Sequence, residues 1–146
     1  MNMSPKEYNR YVARLAKKSP LGKDLLRSFL VGGLICVIGQ LILNGFTALD
    51  LSEQDAAAAT SVSLVFLSAV LTGLSVYDDI AKFAGAGTLV PITGFANAVV
   101  SPAIEFKAEG FVTGMAAKMF IIAGPVIVYG TVASVLYGLI LVIFGG

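Results

Sequence analysis

Few side chains in this sequence could do chemistry, and the missing types narrow the choice first. There is no His, and the single cysteine, Cys36, lies in an apolar run. The commonest general base and metal ligand is therefore absent, and one thiol builds neither a disulfide nor a zinc cluster. No nucleophile stands near a base in the pattern that covalent catalysis needs, so neither an enzyme nor a cofactor is expected. What remains is fixed charge and hydrogen bonding. Lys82 and Lys118 are two of the three cations beyond residue 28. At a restricted, low-dielectric mouth such charges would concentrate an anion; the alternative for Lys118 is to snorkel to lipid headgroups. Asp78 and Asp79 could draw calcium to an entrance or gate, or could simply favour the start of a helix. Gln40, Asn44 and Asn97 are amides in apolar surroundings, and Gly85, Gly87, Pro91 and Gly94 punctuate one segment.

The elements that must position these residues are set by the solvent. With 57% hydrophobic residues, 13% charged and a mean hydropathy of +0.87, the chain cannot coat a soluble globule and reads as an integral membrane protein. Lys6, Arg10, Arg14, Lys17, Lys18, Lys23 and Arg27 all precede the first apolar run. The positive-inside rule then expects a cytoplasmic N-terminus. Residues 1–27 divide as a basic cytoplasmic segment and 28–146 as one transmembrane domain.

In "SPKEYNRYVARLAKK", Ser4, Pro5 and Glu7 make a capping box with proline in the first turn. Tyr8, Tyr11, Val12 and Leu15 then share a face opposite the cations, which suits a helix lying on an anionic leaflet or docking on a partner. Ser19 and Pro20 break it from the next helix. The first span is expected from Ser28 to about Phe46, with Gly33, Cys36, Gln40, Asn44 and Thr47 on one stripe. Hydrocarbon cannot satisfy an amide, so Gln40 and Asn44 should face protein or water. An acidic loop with Ser52 and Asp55 as caps leads to a second span, about Ala56 to Val76. Ser61, Ser68, Thr72 and Ser75 lie on one face of it, read as close packing. The last span is expected from about Val112 to Phe144, with Gly124 and Pro125 as a possible kink and Gly130, Ser134 and Gly138 as a packing face.

Between the second and last spans stands "YDDIAKFAGAGTLVPITGFANAVVSPA". Asp78 is expected to cap a short helix to about Val90, Pro91 and its glycines to interrupt it, and Ser101 and Pro102 to reset the chain again. Backbone broken at membrane depth persists only in protein or beside water. The expectation is an all-α fold: a basic amphipathic helix, three full spans, and a broken central segment that re-enters or forms a fourth span. The broken backbone, with Gln40, Asn44, Asn97, Lys82 and Lys118, would line a conduction path; a kinked span with a structural bend is the alternative.

Three strings, "SPKEYNRYVARLAKKSPLGKDLLRSF", "YDDIAKFAGAGTLVPITGFANAVVSPAIEFKAEG" and "MAAKMFIIAGPVIVYG", together make the chain resemble the SpoVA family of endospore-forming bacteria over nearly its whole length. The long basic N-terminus separates it from the small member AEb, which shares the last two strings. The resemblance implies a membrane component that moves dipicolinic acid with calcium into the forespore and releases it on germination. It also implies a place in the spore inner membrane, the membrane subunit AEb and the soluble-type subunit AD as partners, a homo- or hetero-oligomer, and a channel-like, tension-responsive character. A scaffold that only assembles the conducting subunits is the alternative.

Overall fold

The computed structural model describes residues 4–15 and 20–145, apart from the side chains of Ala13 and Arg14. Lys17 and Lys18 of the basic face, and Ser19 of the expected break, lie outside the described residues. Every regular element among those described is helical. Helix α1 (Pro5–Leu15) opens with the expected box: the Glu7 carboxylate accepts from the Ser4 amide at 3.0 Å and from its hydroxyl at 2.9 Å, and the Glu7 amide donates to Ser4 Oγ at 3.3 Å. Its apolar face, with Tyr8 and Leu15, is exposed.

Helix α2 (Leu21–Ala48) and helix α3 (Glu53–Gly73) pack on each other, and both are long and apolar enough to span a membrane. Ser52 caps α3 by accepting from the Asp55 amide at 3.2 Å. A third candidate span covers Phe111–Phe144; its first residues form a π-helical turn (Phe111–Ala116) that runs into α7 (Ala117–Phe144). Pro125 stands inside α7, which continues past it without a break.

The core is inverted relative to a soluble protein. Its buried apolar residues are Tyr77 and four alanines, and as many Ser and Thr residues are buried beside them, while Phe29, Phe66, Val128 and Val142 are exposed. In hydrocarbon, large apolar side chains gain nothing by turning inward, and small residues let backbones approach.

Between α3 and α7 the chain makes α4 (Val76–Ala84), a single turn α5 (Ala86–Leu89) and α6 (Ile92–Glu105), then a 3-10 turn at Lys107–Glu109. Three expectations change here. Ser75, at φ 59, ends α3 early and precedes α4, so Asp78 is not the cap but lies with Asp79 in the first turn, where the helix dipole still favours acids. The helix stops at Ala84 rather than Val90, because Gly85 takes φ +54, which other residues avoid. Pro102 does not reset the chain; it sits in the last turns of α6 and forfeits only the bond its missing N–H would have made.

The direction of α6 decides whether the segment crosses. Ser68 pairs with Thr93, and Thr72, one turn further along α3, pairs with Asn97, one turn further along α6. Both partners advance together, so α6 runs parallel to α3 and returns towards the end at which α3 finished. Ser68 is five residues before the end of α3, so the segment penetrates only about 8 Å past that end at 1.5 Å per residue, against a ~30 Å hydrocarbon core. Residues 76–105 are a shallow re-entrant hairpin and not a fourth span.

Candidate functional site

A re-entrant backbone frees carbonyls that lipid cannot satisfy, and Ser28, Ser68, Tyr77 and Thr88 donate to carbonyls of the hairpin. Ser28 Oγ donates to the Ala84 carbonyl at 2.7 Å, just where α4 ends. Ser68 Oγ donates to the Thr93 carbonyl at 2.6 Å. The buried Tyr77 hydroxyl lies 2.9 Å from the Thr88 carbonyl and 2.9 Å from the Thr93 hydroxyl. With one hydrogen, it donates to the carbonyl, which can only accept, and takes the hydrogen of Thr93. Thr72 likewise has one hydrogen for the Ser68 carbonyl and the Asn97 side chain, each at 2.8 Å. Both are satisfied when it donates to the carbonyl and Asn97 turns its NH2 group inward. Thr88 closes the tight turn by donating to the Gly85 carbonyl at 2.9 Å. No buried side-chain polar atom is left without a partner among the described residues.

Two glycines make this packing possible. A Cβ on Gly87 would stand 2.8 Å from the Ser28 Cα, and one on Gly94 would stand 2.6 Å from the Leu89 carbonyl oxygen. The hairpin therefore lies backbone to backbone on α2 and folds closely on itself, as small residues permit. Close packing, expected for Ser68 and Thr72, is what they provide. Ser61 instead faces outward and returns its hydroxyl to the Ala57 carbonyl. On the Gly130, Ser134 and Gly138 face of α7, a Cβ added at Gly130 or Gly138 would meet nothing within 4 Å among the described residues.

The structure collects some of the expected site residues and separates others. Gly85, Gly87, Pro91, Gly94 and Asn97 belong to the hairpin, with Gly94 buried and Asn97 half-buried. Lys82 is at its mouth, exposed, donating to Asp79 at 3.0 Å. That hydrogen bond, and then the charge of Asp79, hold the ammonium above its ordinary value of 10.5, so Lys82 stays cationic. Asp78 is half-buried beside this pair. No group of three or more His, Cys, Asp or Glu could hold a metal among the described residues. Lys118 is half-buried at the start of α7, its Nζ 4.3 Å from the centre of the Phe106 ring. Since α6 returns to the end at which α3 finished and α4 began, Lys82 and Lys118 share one end of the bundle. Arg27 packs likewise over Phe83 at 4.8 Å.

Gln40 and Asn44 are elsewhere. They bond to each other at 2.9 Å and are exposed on a face of α2 that carries no other element. At 1.5 Å per residue, Gln40 is about 12 Å along the helix from Gly32, where the hairpin touches α2.

Four clefts or cavities adjoin the hairpin, and two of them bear on a path for a charged solute. An open cleft of about 390 Å³ at its mouth is lined by Asp24, Ser28, Lys82, Phe83 and Gly85 among others. The other, about 180 Å³, lies between α2, α3 and the hairpin, and no charged residue lines it. Sequence reasoning missed Ser28, Thr88, Thr93 and the Tyr77 hydroxyl. A tyrosine opening an apolar stretch with threonines downstream was the available signal, because a buried phenol needs a partner.

The model of the SpoVAC/SpoVAEB sporulation membrane proteins matches residues 24–140. The chain is 46% identical over 134 residues to stage V sporulation protein AC of Bacillus subtilis strain 168, covering 91% of this chain and 89% of that protein. No solved structure matches. The matched region includes all three candidate spans in whole or large part and the entire hairpin, and on that extent the chain belongs to the SpoVAC/SpoVAEB family of sporulation membrane proteins.

Proposed function

We propose that the chain is a conducting subunit of a membrane complex that moves dipicolinate with calcium into the forespore during sporulation and out on germination. It would sit in the spore inner membrane with its N-terminus cytoplasmic, alongside the membrane subunit AEb and the soluble-type subunit AD. The observation that carries the reading is the re-entrant hairpin. A chain that commits Ser28, Ser68, Tyr77 and Thr88 to carbonyls of the hairpin, with Thr72 and Thr93 pairing with Asn97 and Tyr77, gains a rigid polar structure at one membrane face, as transport proteins require. Lys82 and Lys118 place positive charge at that face, which suits a dianion, and Asp78 and Asp79 are the groups available to calcium. Gly85, Gly87, Pro91, Gly94 and Asn97 would form the wall of the path there, and Gln40 and Asn44 its continuation along α2. The path runs along the outside of the chain and is closed by neighbouring subunits, because a dianion in the uncharged internal cavity would be costly. Tension in the bilayer would bias opening through α7, most of whose side chains are exposed.

In cells, Lys82→Gln and Lys118→Gln are each expected to slow dipicolinate accumulation several-fold at unchanged protein level, and the double variant more. Normal loading in the double variant would reject the role of these charges.

A second reading, a non-conducting scaffold, is favoured by the pairing of every buried side-chain polar atom among the described residues, which leaves none of them aimed at a ligand. Ion conductance of the purified chain in planar bilayers, alone and with AEb, separates the two. A conductance that needs AEb and is untouched by changes in this chain's hairpin would select the scaffold.

A further inference from the structure

The outward stripe of α2 is polar at a depth where lipid should cover it. Gly33, Cys36, Gln40 and Asn44 follow one another at three- and four-residue spacing and are all exposed, so they form a line along the helix. The face that packs within the chain is a different one: Ser28 and Gly32 meet the hairpin, and Gly39 meets Leu64 of α3. A third exposed face, with Leu30, Leu34 and Leu41, is wholly apolar and suits lipid. The stripe does not. Gln40 donates one N–H to Asn44 Oδ1, which leaves the Gln40 Oε1 acceptor and the Asn44 NH2 hydrogens without partners among the described residues. Hydrocarbon satisfies neither.

We infer that this stripe is the contact between copies of the chain, with the Gln40–Asn44 pairs of adjacent copies joined in one hydrogen-bonded ring or ladder. Copies inserted with the same topology lie parallel, and because the Gln40 and Asn44 amide groups already meet within one copy, the Asn44 NH2 group of one copy lies within reach of the Gln40 Oε1 of the next. The unused donor and acceptor are complementary, and a second copy supplies both at matching height. The approach is sterically open: a Cβ added at Gly33 would meet nothing within 4 Å. Interhelical amide bonds of this kind hold membrane helices together where apolar contact alone does not discriminate partner from lipid. The inference concerns assembly and stands whether or not the path conducts.

The native Cys36 provides the test, since it is the one cysteine in the chain and lies on the stripe. The full-length purified chain in phosphatidylglycerol–phosphatidylethanolamine vesicles is oxidised with copper phenanthroline, and covalent dimer is measured by non-reducing electrophoresis. Dimer is expected at Cys36, and at Gly33→Cys in a Cys36→Ala background. Leu34→Cys and Leu41→Cys in that background should give little. Gln40→Leu with Asn44→Leu should lower the Cys36 dimer at least about threefold, while carbonate-resistant membrane insertion is unchanged. Counting photobleaching steps of a C-terminally labelled chain, diluted to well below one chain per vesicle on average before fusion, measures the copy number without any cysteine. Single steps after fusion, equal cross-linking at all four positions, or dimer unaffected by the leucine substitutions would each overturn the inference.

Discussion

Tyr77 is the residue on which the hairpin turns. Its ring is 3% exposed, and its hydroxyl ties the single turn α5 to the first turn of α6 across two backbone breaks. Tyr77→Phe keeps the ring and removes the only side-chain donor to the Thr88 carbonyl among the described residues. The expected cost is about 1–2 kcal/mol, the range for a lost interhelical hydrogen bond that strands a buried acceptor. Unfolding of the purified chain in mixed micelles by a denaturing detergent should show it. Tyr77→Leu should cost more, because the ring's packing goes as well. If Tyr77→Phe were neutral, water or another donor would be serving that carbonyl.

At the scale of elements, helix α1 offers a pH test whose sign is set by its capping box. The hydrogen bonds from the Ser4 amide and then from its hydroxyl hold Glu7 below its ordinary value of 4.5. A carboxylate lowered in the helix stabilises that helix fully above 4.5, and the contribution is lost as pH falls through the lowered value. Secondary chemical shifts of residues 5–8 in the full chain should therefore lose helical character on acidification below 4.5. Glu7→Gln should remove most of that pH dependence. A transition centred well above 4.5 would mean another group controls the helix start. The hairpin shows the opposite kind of element: α4, α5 and α6 owe their ends to Gly85 and Pro91, and their positions to side chains from α2 and α3.

For the whole molecule, three crossings with a re-entrant hairpin would place the start of α2 and the end of α7 on opposite faces of the membrane. Single cysteines at Gly22, Gln54 and Ala108, each exposed, test this in a Cys36→Ala background with a membrane-impermeant maleimide applied from one side. Gly22 and Ala108 should label together and Gln54 from the other side, with a C-terminal cysteine following Gln54. Ala108 labelling with Gln54 would make residues 76–105 a crossing segment.

Much of this architecture was legible in the amino-acid order because its causes are local or concern solvent alone. Apolar runs long enough for a bilayer, basic flanks, the capping residues Ser4 and Ser52, and the helix-breaking set around Pro91 each act on their own neighbours. The end of α3 at Gly73 was less legible, since the left-handed Ser75 that follows belongs to the turn that carries the chain back onto α2. Whether the broken segment crosses or returns was not legible at all. It depends on Ser68 and Thr72 meeting Thr93 and Asn97 in parallel order, and periodicity carries no sign for the direction of a partner helix. The placement of Gln40 and Asn44 was half legible: their polarity demanded something other than lipid, but only the tertiary structure shows that the hairpin occupies a different face of α2 and leaves them turned outward.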